Sequence, residues 1–205
     1  MKSAIEVFGE WAQSGRDERM AQGHLLAVQH MISLVTLERD QPFTVIDAGC
    51  GNGWVVRMLN KMELCLQAEG VDGALEMIEK AKKLDPEGRY ECADLLAWRP
   101  VCPVDIVHSM EVFYYFKDPA ALVQHIANHW LKPGGQLIAG VDHYLENTPS
   151  HNWASENGIS HMTTLAESEW VALFNAAGLN DVQSSRFGAK GSWAGTLVLT
   201  GQVEG

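Results

Sequence analysis

The sequence predicts an α/β fold in which a mostly parallel sheet carries helices on both faces. Three observations carry that expectation. Short strand-like runs closed by an acid recur along the chain: Phe43–Ile46 before Asp47, Leu66–Val71 before Asp72, and Arg89–Ala93 before Asp94. Segments with helical spacing separate later runs, as in Ala74–Leu84 and Asp118–Leu131, and strands alternating with helices are the pattern of parallel pairing. Between the first strand and its helix stands Gly49-Cys50-Gly51-Asn52-Gly53. A turn that lets a ligand lie on its backbone has no room for Cβ atoms, and the amides opening the next helix, Trp54–Leu59, would point at that ligand.

The elements follow in order. Asp17–Glu38 reads as a helix with Leu25, Leu26, Val28, Ile32 and Val35 on one side. Ala74–Leu84 is a second, with Leu75, Ile78, Ala81 and Leu84 on one face. Pro103–His108 is a fourth strand, and Leu131–Ile138 holds a tight turn at Pro133-Gly134-Gly135 before a fifth. From His143 to Thr164 runs a polar and aromatic stretch; long segments at strand ends tend to be lids or binding walls. Thr164 to Glu167 has capping-box spacing, ahead of a helix over Glu169–Ala177 ended by Gly178. Asp181–Phe187 and Ala194–Thr200 are the last two strands.

The loop discriminates between ligands. A dinucleotide fingerprint, G-x-G-x-x-G, would put its third glycine at Trp54. A phosphate-cradling loop needs G-x-x-x-x-G-K-[ST], and Gly49 to Asn60 contains no lysine. The spacing present, G-x-G-x-G with Asp47 two residues ahead, resembles the first motif of the class I S-adenosylmethionine-dependent methyltransferases. Asp72, Asp94-Leu95, the stretch Ser109–Phe116 and Leu131–Ile138 fall at that family's later landmarks in the right order, over roughly residues 43–142.

The resemblance implies a Rossmann-like methyltransferase fold, α/β, with a seven-stranded, mostly parallel sheet and an antiparallel last strand. It implies S-adenosyl-L-methionine as cofactor, with S-adenosyl-L-homocysteine as product. Asp47, Gly49, Cys50, Gly51 and Gly53 would hold the methionine part, Asp72 the ribose and Asp94 and Leu95 the adenine, with Gly73 and Ser109 also expected to bind the cofactor. Singly, each acid is a cap or turn residue; their common register at the carboxyl ends of one sheet points to a crevice. The expected organisation is a single domain over 1–205: a helical lid at 1–40, a cofactor-binding core at 41–142, a substrate-side insertion at 143–166, and a C-terminal helix and hairpin at 167–205. In the lid, Trp11 and Met20 would cover the sulfonium and Arg16 or Arg19 would grip the methionine carboxylate, or these arginines pair with Asp17 and Glu18 on a surface helix.

Methyl transfer to a small molecule is the expected function. His143 leads as general base because it exits the fifth strand and imidazole titrates near neutrality, with Tyr114, Tyr115 and Glu111 next; Glu111, Tyr115, Tyr144 and Trp153 are the expected substrate-side residues. Lys190 and Trp193 are rim candidates, Trp193 equally a core residue. No [Asp/Asn/Ser]-Pro-Pro-aromatic run follows the fourth strand, where Ser109-Met110-Glu111-Val112 stands. The rival readings are a non-catalytic protein of the same fold and an NAD-dependent oxidoreductase.

Composition bounds the partners. A net charge of −11 over 205 residues argues against a nucleic-acid substrate, which needs a basic footprint. No apolar run approaches the ~20 residues of a membrane span. Cys50, Cys65, Cys92 and Cys102 lack C-x-x-C spacing and read as reduced thiols, so the expected location is cytoplasmic. His125 and His129, four apart on a helix, are read as edge residues rather than metal ligands, and no metal is expected. The chain is expected as monomer or homodimer.

Overall fold

The computed structural model describes residues 1–205. Two helices, α1 (Ala4–Ser14) and α2 (Arg16–Thr36), precede the alternating core of β1 (Phe43–Ala48), α3 (Trp54–Leu59), β2 (Cys65–Asp72), α4 (Leu75–Leu84) and β3 (Arg89–Cys92). There follow β4 (Val104–Met110), α5 (Pro119–His129), β5 (Leu131–Val141), α6 (Trp153–Asn157), α7 (Glu167–Ala176), β6 (Asn180–Phe187) and β7 (Thr196–Gln202). The seven strands lie in the order β3-β2-β1-β4-β5-β7-β6. Pairing is parallel from β3 through β5, and β7 runs antiparallel to both β5 and β6. This is the Rossmann-like methyltransferase architecture expected. Strand order reverses between β1 and β4, so their carboxyl ends open a crevice at the switch point.

Each face of the sheet is covered. Val28, Met31, Ile32 and Val35 of α2, Val55 and Val56 of α3, and Ile78 and Ala81 of α4 pack on one face. Leu122, Val123 and Ile126 of α5 with Trp170 and Phe174 of α7 pack on the other. A smaller cluster of Val7, Trp11, Ala74, Met77 and Ile159 seats α1 on α4.

The helical stripes differ from the expected ones in an instructive way. Leu26 is 68% exposed and Leu25 38%; the inward stripe of α2 is Asp17, Met20, Ala21, His24, then Ala27, Val28, Met31, Ile32 and Val35. Its spacing of three and four is the helical one, and its upper half is polar because it faces a cavity rather than core. Leu75 and Leu84 of α4 are likewise exposed, with Met77 buried in their place. The helix expected at Glu169 begins at Glu167, and the Glu169 carboxylate accepts from the Ala166 N–H at 2.7 Å. Thr164 is not its cap; its hydroxyl is 2.7 Å from His143 Nε2. No helix is long and apolar enough to cross a membrane.

Candidate functional site

A cavity of about 300 Å³ opens at the carboxyl ends of β1, β2 and β4, under α1 and the first half of α2. That volume is at the lower end of the range for small-molecule sites. The glycine loop forms its floor. Gly49 has φ +76°, and a Cβ there would lie 2.2 Å from Val112, so the loop after β4 closes directly on this backbone. Gly51 has φ +52°, and a Cβ would meet nothing nearer than Met77 Sδ at 3.9 Å. Its N–H donates to Asp72 Oδ2 at 2.9 Å, while Asp72 Oδ1 accepts from the Ala74 N–H at 2.8 Å. Burial raises the Asp72 pKa, against the lowering effect of those two donors.

Of the residues the sequence singled out for the cofactor, Asp47, Gly49, Cys50, Gly51, Asp72, Gly73, Asp94 and Leu95 all line this cavity. Two do not. Gly53 packs under the Tyr90 ring, where a Cβ would stand 2.4 Å from a ring carbon. Ser109 is buried behind β1, its hydroxyl donating to the Ala48 carbonyl at 2.8 Å. Asp47 Oδ1 lies 2.7 Å from His108 Nδ1, and both residues are buried.

The lid expectation is half corrected. Met20 lines the cavity; Trp11 instead packs edge-on against Phe8 at 5.0 Å. Arg16 and Arg19 are both exposed, Arg16 lying over the Trp11 ring and donating to Asn157 at 2.6 Å, so neither reaches the cavity. Position 17 supplies the wall instead. Asp17 accepts from Asn52 Nδ2 at 2.7 Å and from Lys80 Nζ at 2.9 Å, which anchors α2 to the glycine loop.

On the acceptor side, Glu111 and Tyr115 line the cavity, and Tyr144, Trp153, Lys190 and Trp193 do not. Tyr144 is a core residue whose hydroxyl donates to the Gly195 carbonyl at 3.1 Å. Trp153 stacks on Trp193 at 6.0 Å, away from the crevice. The stretch from 143 to 166 meets the N-terminal segment, where Ile159 pairs with Lys2 in a short bridge. His143 is a correction as well. Both its ring nitrogens are engaged, by the Ser150 carbonyl at 3.0 Å and the Thr164 hydroxyl at 2.7 Å, and burial lowers its pKa. Tyr114 is buried out of the cavity, and burial together with the Glu111 charge keeps its phenol protonated. His125 Nε2 is taken by the Trp98 carbonyl at 2.7 Å and His129 Nε2 lies 3.1 Å from Arg99.

The group that the sequence did not bring forward is His24 with Glu111 and Asp142. One donor atom from each lies within 4.8 Å of the others. His24 Nε2 is 3.3 Å from Asp142 Oδ2, and Asp142 Oδ1 is buried without a partner. Glu111 accepts from the Asp142 backbone N–H and, at 2.6 Å, from the Tyr114 hydroxyl. Burial and then the Asp142 charge push the Glu111 pKa up to about 8. Burial would lower that of His24, but Asp142 and Glu111 outweigh it and hold it above the ordinary value. Glu111 also has φ +62°, a conformation costing a non-glycine residue roughly 1–2 kcal/mol and found where function requires it. The signal for His24 was present: counting back four from Val28 along the α2 stripe gives position 24.

The cavity wall carries Asp17, Asp47, Asp72, Asp94 and Glu111 and no lysine or arginine. A family model described as a methyltransferase domain matches residues 13–184. The chain belongs to the methyltransferase-domain family. Within it, the chain is 30% identical over 159 residues to trans-aconitate 2-methyltransferase of Azoarcus sp. (strain BH72), covering 78% of this chain and 61% of that protein. It is 28% identical over 174 residues to malonyl-[acyl-carrier protein] O-methyltransferase of Brevibacillus brevis, covering 78% and 62%. The chain thus spans less than two thirds of the length of these two curated relatives. A methyltransferase solved in complex with the Haloferax volcanii Trm112 methyltransferase activator superposes with a TM-score of 0.84 at 27% identity, over 100% of both chains. The fold is also that of N-methyltransferase NodS from Bradyrhizobium japonicum, solved in complex with S-adenosylhomocysteine, with a TM-score of 0.66 at 16% identity over 85% of this chain and 84% of that one.

Proposed function

We propose that this chain is an S-adenosylmethionine-dependent methyltransferase acting on a small-molecule acceptor. The observation that carries the reading is a glycine-floored cavity at the switch point whose charged wall is carboxylate, without lysine or arginine. A pyrophosphate would face five carboxylates there and no lysine or arginine. A ligand bearing a sulfonium and an ammonium meets the opposite charge, and the field of such a cleft concentrates it. The open side of Gly51 and the buried Asp72 carboxylate beside it fit a nucleoside whose ribose hydroxyls need an acceptor.

When bound, the cofactor supplies a methyl carbon already activated by positive sulfur. The protein's part is positioning, which can supply roughly 7–11 kcal/mol of the barrier, and proton removal where the acceptor carries one. Asp72, fixed by two backbone donors, orients the sugar; Asp94 and Leu95 bound the base; Met20 and α1 exclude water from above. Glu111 is the proton acceptor, since it lines the cavity and its pKa of about 8 is matched to a base working near neutrality. Purified protein incubated with S-adenosylmethionine and acceptor should form S-adenosylhomocysteine, and tight binding without turnover of any acceptor would leave the non-catalytic alternative standing.

The relatives' names specify a tricarboxylate and a malonyl thioester as acceptors, and neither carries over to this wall. The end-to-end match to a methyltransferase solved with an activator supports a small protein partner of Trm112 type. Co-expression with such a homologue should yield a heterodimer in place of monomer or homodimer, and separate elution of the two would count against it.

A further inference from the structure

Resting on that reading, we infer that the acceptor is a small amine, bound as its ammonium against the His24–Glu111–Asp142 group, and that carboxylate acceptors are excluded. Three features place it there. Glu111 at the β4 exit and His24 from α2 line one end of the cavity, and Asp142 at the exit of the adjacent strand β5 lies directly behind them. Asp142 is compensated only through Oδ2 by His24, its buried Oδ1 having no partner, so its charge adds to the negative field at the Glu111 end of the cavity. His24, the one basic side chain on the wall, already faces Asp142 at 3.3 Å, so no free cation is left for an anionic acceptor. Phe8, Met20 and Tyr115 add apolar walls, with the Phe8 and Tyr115 rings edge-to-face at 5.2 Å, which suit a flat apolar body behind the amine and the cation–aromatic attraction of its head.

The reaction balances. The ammonium loses one proton to the Glu111 carboxylate, and the freed nitrogen lone pair forms the N–CH3 bond. The S–CH3 pair returns to sulfur, giving neutral S-adenosylhomocysteine. The product leaves as a methylated ammonium, and the Glu111 proton passes to water. A carboxylate acceptor would need no base at all, so a base placed here by a strained backbone points to a nucleophile that carries a proton. Asp142 does not line the cavity and acts through Glu111 and His24 as a positioning residue.

The test uses a matched pair, benzylamine and benzoate, with trans-aconitate as a second anion, on the full chain. Calorimetry on protein loaded with S-adenosylhomocysteine should show benzylamine binding at least about 10-fold tighter than benzoate, and S-adenosylhomocysteine formation should be stimulated by benzylamine or tyramine alone. Glu111→Gln should lower amine turnover about 10²–10⁴-fold with cofactor-product binding retained, which also shows that the variant is folded. Asp142→Asn should move the pH midpoint of turnover rather than abolish it. Equal or tighter binding of benzoate, or turnover of trans-aconitate with or without an added divalent cation, would overturn the amine assignment and leave the methyltransferase reading intact. No binding of S-adenosylhomocysteine to folded protein would instead overturn the reading on which this rests.

Discussion

Replacing Glu111 with glutamine should make the fold more stable at alkaline pH while destroying activity. The Glu111 carboxyl is held at about 8 against an ordinary 4.5, by burial first and the Asp142 charge second. At 1.36 kcal/mol per pKa unit the difference is roughly 5 kcal/mol, an upper bound because water entering around the ionised carboxylate relaxes it. A carboxyl whose pKa is raised on folding binds its proton more tightly in the native state. Its contribution is therefore full below about pH 4.5 and lost as pH climbs through about 8. Glutamine keeps the acceptor for the Asp142 N–H and offers an N–H to Tyr114, yet has no proton to lose. Urea unfolding at pH 5, 7 and 9 reads the effect: variant and wild type should nearly coincide at pH 5, with the variant ahead by several kcal/mol at pH 9. Groups that do not feel Glu111, Asp72 among them, cancel in that difference, whereas His24, whose pKa the Glu111 charge helps to raise, adds a smaller change of its own. In the wild type, kcat/KM for an amine should rise with pH to a plateau above about 8, where the base is ionised. Parallel stability curves for the two proteins would show that Glu111 is not buried in the uncharged state, and the base assignment would fall with it.

Further outcomes follow from the same geometry. Asp72→Ala removes a carboxylate hydrogen-bonded to two backbone amides and should weaken S-adenosylhomocysteine binding by about 10–150-fold, the range of ~1.5–3 kcal/mol for hydrogen bonds to charge; unchanged affinity by calorimetry would mean the ribose contact is misassigned. Gly49→Ala meets Val112 at 2.2 Å at φ +76°, whereas Gly158→Ala has φ +68° and open space. The first should cost roughly 2–5 kcal/mol in urea unfolding and the second about 1–2, and equal losses would contradict the close packing of the loop after β4. His143→Ala should destabilise the protein by about 1–3 kcal/mol through its two lost hydrogen bonds but leave the pH midpoint of turnover in place; a displaced midpoint would restore it as the base.

The cofactor half of the crevice was legible because its chemistry is written locally. A strand, an acid and a glycine turn are contiguous in sequence, so the family resemblance could be followed residue by residue to Asp47, Gly49, Gly51, Asp72 and Asp94, all of which line the cavity. Gly53 and Ser109 lie off the cavity because sequence gives the path of a loop or strand and not which side faces the crevice: Gly53 packs against Tyr90, and the Ser109 side chain on β4 turns to the Ala48 carbonyl of β1. The acceptor half is assembled from α2, the β4 exit and the β5 exit, positions 24, 111 and 142, and no local pattern joins them. His143 drew attention as a lone histidine at a strand end, while the neighbouring Asp142 carries the unpartnered oxygen. His24 was masked by Leu25 and Leu26, two exposed leucines that pulled the apparent apolar stripe of α2 off its true face.

The central claim is that the carboxylate-walled cavity holds a cationic nucleoside and not a phosphate-bearing one. Titration calorimetry with S-adenosylmethionine and with NADH, each against the same folded protein, separates the two. Saturable one-site heat with S-adenosylmethionine, sharply reduced by Asp72→Ala, is expected, and none with NADH; heat with NADH alone, or with neither, would rule the cationic nucleoside out.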